Sequence, residues 1–269
     1  MKANCISCGA EYESVTYRLF SGEGKPLSPY CYDCRAEKRA RIEREDKEKQ
    51  EAYIKELKIG WLRVSGIPAK FLNQTLDSFI DRGFNTMEIL QRCRDYVENF
   101  PSTRPRGYKS LILISPNNWG VGKSHLACGI GKAILQKSIS LSPVSPVYYT
   151  TDQAMLRRIR ATYRQEKAET EEDVFDHLTN VPLLIIDDMG KEEISDPRFV
   201  QRVWFSIVNG RYENELPIVI TANLTPDGIA QYLGGGRGNE AAFDRLYEMI
   251  GGEMYEIKGI SKRRELWTR

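Results

Sequence analysis

The chain has 269 residues, of which 41% are apolar and 28% charged, with a formal net charge of +2. That composition belongs to a folded globular protein and excludes a wholly disordered chain, a collagen-like repeat and a disulfide-dense miniprotein. No apolar run approaches the ~20 residues of a membrane span and the opening MKANCISCGAEYE lacks a signal-peptide core, so a cytoplasmic protein with no membrane partner is expected, and its small net charge leaves any nucleic-acid contact to local patches.

In chain order, residues 1–34 are rich in Cys, Tyr, Gly and Pro and hold little that could build a core. Residues 35–59 contain no Gly or Pro and carry charges of alternating sign; they predict an exposed helical linker with i,i+4 pairs, a spacer or a partner-binding arm. From residue 60 to 269 strands alternate with helices. SLILIS (110–115) reads as a buried strand and GKSHLACGIGKAILQK as the helix after it. PVYYT (146–150) is a second strand, followed by a helix over DQAMLRRIRATYRQEKAE with Asp152 as its N-cap. PLLIIDD (182–188) is a third strand, DPRFVQRVWFSIVNGRYEN a helix with Pro197 in its first turn, and LPIVITAN (216–223) a fourth strand. TPDGIAQYL and NEAAFDRLYEMI are helices, and EMYEIKG a last strand. The alternation predicts an α/β fold with a parallel sheet and helices on both faces.

Two patterns carry chemistry. SPNNWGVGKSHL (115–126) joins the first strand to its helix and ends as a phosphate-binding loop does. Asn117, Asn118, Trp119, Gly120, Val121, Gly122, Lys123, Ser124 and His125 form that loop and the start of the helix. Their amides and the helix N-terminus suit phosphate oxygens, Lys123 the β- and γ-phosphates of ATP, and the Ser124 hydroxyl Mg²⁺. Asn117 stands where the pattern has its first glycine; Asn tolerates positive φ better than other side chains. LLIIDD supplies the matching acids: Asp187 for Mg²⁺ and Asp188 to polarise an attacking water. Asn223, ending VITAN, suits that water and the γ-phosphate. His125, Cys93 and Cys128 read as packed side chains, and His177 as lying on a helix. The second pattern is CISC and CYDC. Cys5, Cys8, Cys31 and Cys34 form two CxxC knuckles with twenty-two residues between them, the spacing of a structural, four-thiolate Zn²⁺ site that replaces a missing core.

GIPAKFLNQTLDSF (66–79), SPNNWGVGKSHLA, LLIIDDMG, VITANLTP, AFDRLYEM and GISKRRE resemble the AAA+ ATPases. They are most similar to the replicative-helicase loader group of DnaC/DnaI type and its relative, the IstB-type transposition helper. The resemblance implies a sheet of order 5-1-4-3-2, with Ile67, Pro68 and Phe71 near the base or docking the linker. It implies Arg245 as the arginine given to a neighbour's ATP, with Arg237 in reserve, and Arg263, or else Arg264, on phosphate in cis. It further implies ATP-dependent loading of a replicative helicase onto single-stranded DNA, ATP-dependent self-association, and a zinc module that contacts the helicase, with a DNA-touching ribbon as the alternative. Arg157, Arg160 and Arg164, with Arg158 and Tyr163 beside them, are the candidate DNA face. The competing expectations are a transposition helper and an adaptor switched by ATP without hydrolysis.

Overall fold

The computed structural model describes residues 2–17, 25–103, 105–116, 118–139, 142–163, 169–190, 196–234 and 240–261. Its contacts divide the chain into two units, Met1–Glu56 and Leu57–Arg269. In the first, β1 (Lys2–Asn4) and β2 (Glu11–Glu13) pair antiparallel, Ala3 facing Tyr12. A second short pair follows, β3 (Thr16–Tyr17) with β4 (Lys25–Pro26). The helix α1 then runs from Tyr32 to Val64. It extends the predicted 35–59 segment at both ends, because no proline stops it and because Trp61 is anchored: the indole is buried and its Nε1 donates to Ser142 O at 3.0 Å. On the exposed part of α1, Arg41 pairs with Glu45 at 3.5 Å and Lys47 with Glu51 at 4.0 Å, contacts worth about 0.3–0.5 kcal/mol each.

The second unit holds α2 (Thr86–Asn99), β5 (Leu111–Ile114), α3 (Lys123–Lys137), β6 (Val147–Thr151), α4 (Asp152–Thr162), α5 (Glu171–Asn180), β7 (Leu183–Met189), α6 (Pro197–Glu213), β8 (Ile218–Ala222), α7 (Pro226–Leu233), α8 (Ala241–Met249) and β9 (Tyr255–Glu256). The sheet order is β6-β7-β8-β5-β9, and every neighbouring pair is parallel. Numbered within the sheet from β5, this is the expected 5-1-4-3-2. Strand residues alternate between two cores. Ile112, Leu184, Ile186 and Ile220 face α4 to α8, while Leu113, Leu183, Ile185 and Val219 face α2 and α3. Covering both faces explains why β5 reads LILI with no polar interruption.

Two expectations need correction. The N-cap of α4 is Thr151, whose Oγ1 accepts the Ala154 amide at 3.1 Å. Asp152 is fully buried; its carboxylate accepts from Gly190 N at 2.8 Å, Trp204 Nε1 at 3.0 Å and Tyr232 OH at 2.6 Å. Either residue type can cap a helix, and here the acid is drawn inward by three donors. The helix also ends at Thr162, short of the expected Glu169, and Thr170 and Asp173 form a capping box that starts a separate helix, α5.

The amino ends of β7 and β8 are fixed by Arg211, which is fully buried on α6. Its guanidinium donates to the carbonyls of Leu178 at 2.8 Å, Val181 at 3.0 Å, Pro182 at 3.3 Å and Pro217 at 2.5 Å. Burial pulls its pKa down to about 9, which leaves it charged at neutral pH.

Candidate nucleotide site and four-cysteine cluster

The loop after β5 turns at Gly120 (φ 84°) and Gly122 (φ 109°), conformations that glycine adopts without a Cβ clash. Gly122 is also the N-cap of α3, and a Cβ there would lie 2.5 Å from the ring of Phe79. Segment 66–79 therefore packs directly on the loop; His125 fastens it further, Nε2 donating to Thr75 O at 2.7 Å. A cleft of about 600 Å³ opens at the carboxyl ends of the strands, lined by Lys123, Ser124, Asp187, Asp188 and Asn223 among others. This is where an open parallel sheet binds ligands.

Lys123 is 6% exposed and spans the cleft floor. Its ammonium donates to Asn223 Oδ1 at 2.6 Å and to Ser115 Oγ. The Ser115 hydroxyl itself donates to Asn118 O at 2.6 Å. Asp187 is 3% exposed and accepts two hydroxyls, Thr221 Oγ1 at 2.5 Å and Tyr149 OH at 2.7 Å. Each such bond to a carboxylate contributes about 1.5–3 kcal/mol. Burial first, and the charge of Asp187 second, hold the Tyr149 hydroxyl far above its ordinary pKa, so it remains a donor. Asp188 takes a left-handed backbone (φ 60°) at a register shift between β7 and β8, and its amide donates to Thr221 Oγ1 at 2.9 Å. The bulge inserts an extra residue and re-aims it, so consecutive acids both reach the cleft.

Other expected residues fall differently. Trp119 lines the cleft and is 47% exposed. Val121 is buried in the core, leaving only its backbone for the loop. Asn118 turns its side chain to Gly259 O at 2.8 Å, which ties the loop to the segment after β9. Pro68 and Phe71 line the cleft, whereas Ile67 packs into the core beneath α3. Arg245 does not line it; its guanidinium lies 5.4 Å from the Phe205 ring centroid and 5.9 Å from that of Tyr212, and its Nη1 is buried without a partner. Asn117, Arg164, Arg237, Arg263 and Arg264 lie outside the described residues. On α4, Arg157 is exposed, Arg160 lies 4.6 Å over Phe199, and Arg158 pairs with Glu169 at 2.5 Å. Cys93 and Cys128 are fully buried; burial pushes the Cys93 thiol up to about 12. Sequence reasoning missed Ser115, Tyr149 and Thr221. A polar residue inside the apolar run IVITA was the available signal for Thr221.

In the N-terminal unit the thiols of Cys5, Cys8, Cys31 and Cys34 lie within 4.8 Å of one another. The Cys8 and Cys31 sulfurs are 3.7 Å apart. Four sulfurs at ~2.3 Å from one zinc ion would be about 3.8 Å apart, so the donor set and its spacing fit a tetrahedral metal. A backbone hydrogen bond from Cys31 draws the Cys5 thiol down to about 6, while the Cys8 thiol, followed by that of Cys31, pushes Cys34 up to about 12.

The family model described as IstB-like ATP binding protein matches residues 105–267. The replicative helicase loader DnaC of Buchnera aphidicola subsp. Acyrthosiphon pisum (strain APS) is 25% identical over 184 residues, 68% of this chain and 66% of that protein. The loader DnaC of Escherichia coli (strain K12) is 25% identical over 182 residues, again 68% of this chain and 66% of the relative. The matched region thus spans just under two thirds of these relatives. Among solved structures, the DnaC helicase loader superimposes with a TM-score of 0.56 at 25% identity, covering 71% of this chain and 100% of that one. DnaI gives 0.55 at 20% identity, covering 72% and 94%, a likeness of fold.

Proposed function

This chain belongs to the IstB-like ATP-binding protein family, and on that premise we propose that it is an ATP-hydrolysing loader that places a replicative DNA helicase on single-stranded DNA. The observation that carries the reading is the convergence of Lys123, Ser124, Asp187, Asp188 and Asn223 on one cleft, in a chain a quarter identical to DnaC loaders.

ATP enters with its phosphates against the loop amides and the start of α3. Lys123 exchanges Asn223 and Ser115 for the β- and γ-phosphates, and Asn223 is then released to hold the attacking water. Asp188 orients that water and takes its proton. Ser124 and Asp187 are the residues that would hold Mg²⁺, which when bound neutralises charge on the phosphates. Thr221 and Tyr149 hold the Asp187 carboxylate in place for that task. Arg263 serves the phosphates in cis, and Arg245 of a neighbouring copy completes the site in trans. That requires α8 to present the arginine away from Phe205 and Tyr212 on assembly.

The cysteine cluster holds a structural zinc ion: all four positions are thiols, so none is left open for substrate. The unit built on it presents Ile6 (69% exposed), Val15 (72%), Leu27 (62%) and Tyr32 (76%). These exposed apolar side chains suit contact with a protein, the helicase, better than contact with DNA. Arg157 and Arg160 on α4 serve single-stranded DNA. The family description favours one second reading, a transposition helper using the same engine. Purified chain, replicative helicase and closed single-stranded DNA circles distinguish the two. The loader reading predicts helicase stably bound to circles only when the chain and ATP are both present. Stimulation of a transposase with no effect on helicase loading contradicts it.

A further inference from the structure

We infer that Arg82, which no motif singles out, is a binding residue for the ribose and α-phosphate end of the nucleotide, the part that ATP and ADP share. The inference deepens the nucleotide reading of the cleft and rests on it. Arg82 lines the cleft beside Ser78 and Ile80. Its backbone is held on both sides: Arg82 N donates to Thr86 Oγ1 at 3.0 Å, and Ile260 N donates to Arg82 O at 2.9 Å. Among the described residues, by contrast, none forms a hydrogen bond or ion pair with the side chain. Its Nε is buried with no hydrogen-bond partner. The adjacent acid is already engaged, Asp81 Oδ1 accepting from Thr86 Oγ1 at 2.7 Å and from Gly83 N at 2.9 Å. A half-buried guanidinium left unpaired is costly unless a ligand supplies the acceptor.

The sheet order says which end of the nucleotide it meets. Ile260, which fixes Arg82, follows β9, one strand to the outside of β5. Asp187 lies near the carboxyl end of β7, on the other side of β5 beyond β8. At about 4.8 Å per strand, β9 and β7 are roughly 14 Å apart. Phosphates seated on the loop after β5 with their magnesium toward β7 direct the nucleoside toward β9. A guanidinium carries only donors, so it pairs with the α-phosphate or ribose oxygens there and leaves the γ-phosphate to Lys123.

The test is calorimetric titration of MgATP and MgADP into the full chain, wild type and Arg82→Ala, with Arg82→Lys as the conservative variant. Losing a charge-assisted contact predicts a drop of about tenfold or more in affinity, by the same factor for both nucleotides, with partial recovery in Arg82→Lys. The ligand-free unfolding midpoint of Arg82→Ala is expected not to fall, because the side chain has no hydrogen-bond partner to lose. A loss confined to MgATP, or unaltered binding of both nucleotides, overturns the inference while leaving the nucleotide reading intact. A wild-type chain that binds neither nucleotide removes the underlying reading, and this one with it.

Discussion

The Thr221 hydroxyl donates to Asp187 at 2.5 Å while accepting the Asp188 amide at 2.9 Å. One buried side chain on β8 therefore sets the position of both acids at the end of β7. Thr221→Val keeps the shape and removes the hydroxyl, leaving a carboxylate oxygen and an amide unpaired. The expected outcome is a loss of about 1–3 kcal/mol in denaturant unfolding, with hydrolysis falling roughly tenfold and ATP affinity little changed. A hydrolysis rate equal to wild type would show that the acids keep their places without it.

Tyr149 supplies the second hydroxyl on Asp187. In Tyr149→Phe the carboxylate loses one of the two donors that hold its orientation. Hydrolysis should then need more Mg²⁺ for half-maximal rate. Rate profiles against magnesium check the shift; superimposable profiles argue against a role for the tyrosine.

Arg211 satisfies four carbonyls at the amino ends of β7 and β8. Arg211→Met fills similar volume and leaves those acceptors dry. Urea unfolding should show a loss of about 3 kcal/mol or more, far from the cleft chemistry. A change under about 1 kcal/mol would mean that water replaces the guanidinium.

Zinc content tests the cysteine cluster. Metal analysis should find about one zinc per chain, and Cys8→Ser with Cys34→Ser should abolish it. The residues before α1 should then become protease-sensitive, while MgATP binding by the unit at 57–269 persists. Absence of zinc from protein purified without chelator would refute the assignment.

For the DNA face, Arg157→Ala with Arg160→Ala should flatten the salt dependence of single-strand binding. Two lost phosphate contacts predict a slope in log K against log salt smaller by about 1.4. An unchanged slope places the DNA elsewhere on the chain.

Much of this site could be read from the sequence because its residues are neighbours along the chain. Gly122, Lys123 and Ser124 are contiguous, as are Asp187 and Asp188, and hydrophobic runs of strand length introduce both groups. The sheet order followed from the resemblance and is what the strands adopt. What escaped notice is built by pairing across strands. Thr221 meets Asp187 through the β7–β8 register, Tyr149 meets it from β6, and Ser115 meets Lys123 across a loop. None of these proximities has a sequence spacing of its own. By residue preference Asp152 is the stronger N-cap of the pair, but the donors of Trp204, Tyr232 and Gly190 draw it inward and leave Thr151 to cap α4. The helix α2 was not anticipated: its buried Ile89, Leu90 and Cys93 are flanked by arginines and acids that hide the apolar stripe.

The central claim is that Lys123 and the acids of β7 form one ATP-hydrolysing site, and phosphate release by wild type and Lys123→Ala in the presence of single-stranded DNA tests it most directly. The account predicts steady release by wild type that rises with protein concentration, and a rate at least about a hundredfold lower in the variant. Equal release by the two proteins would contradict it.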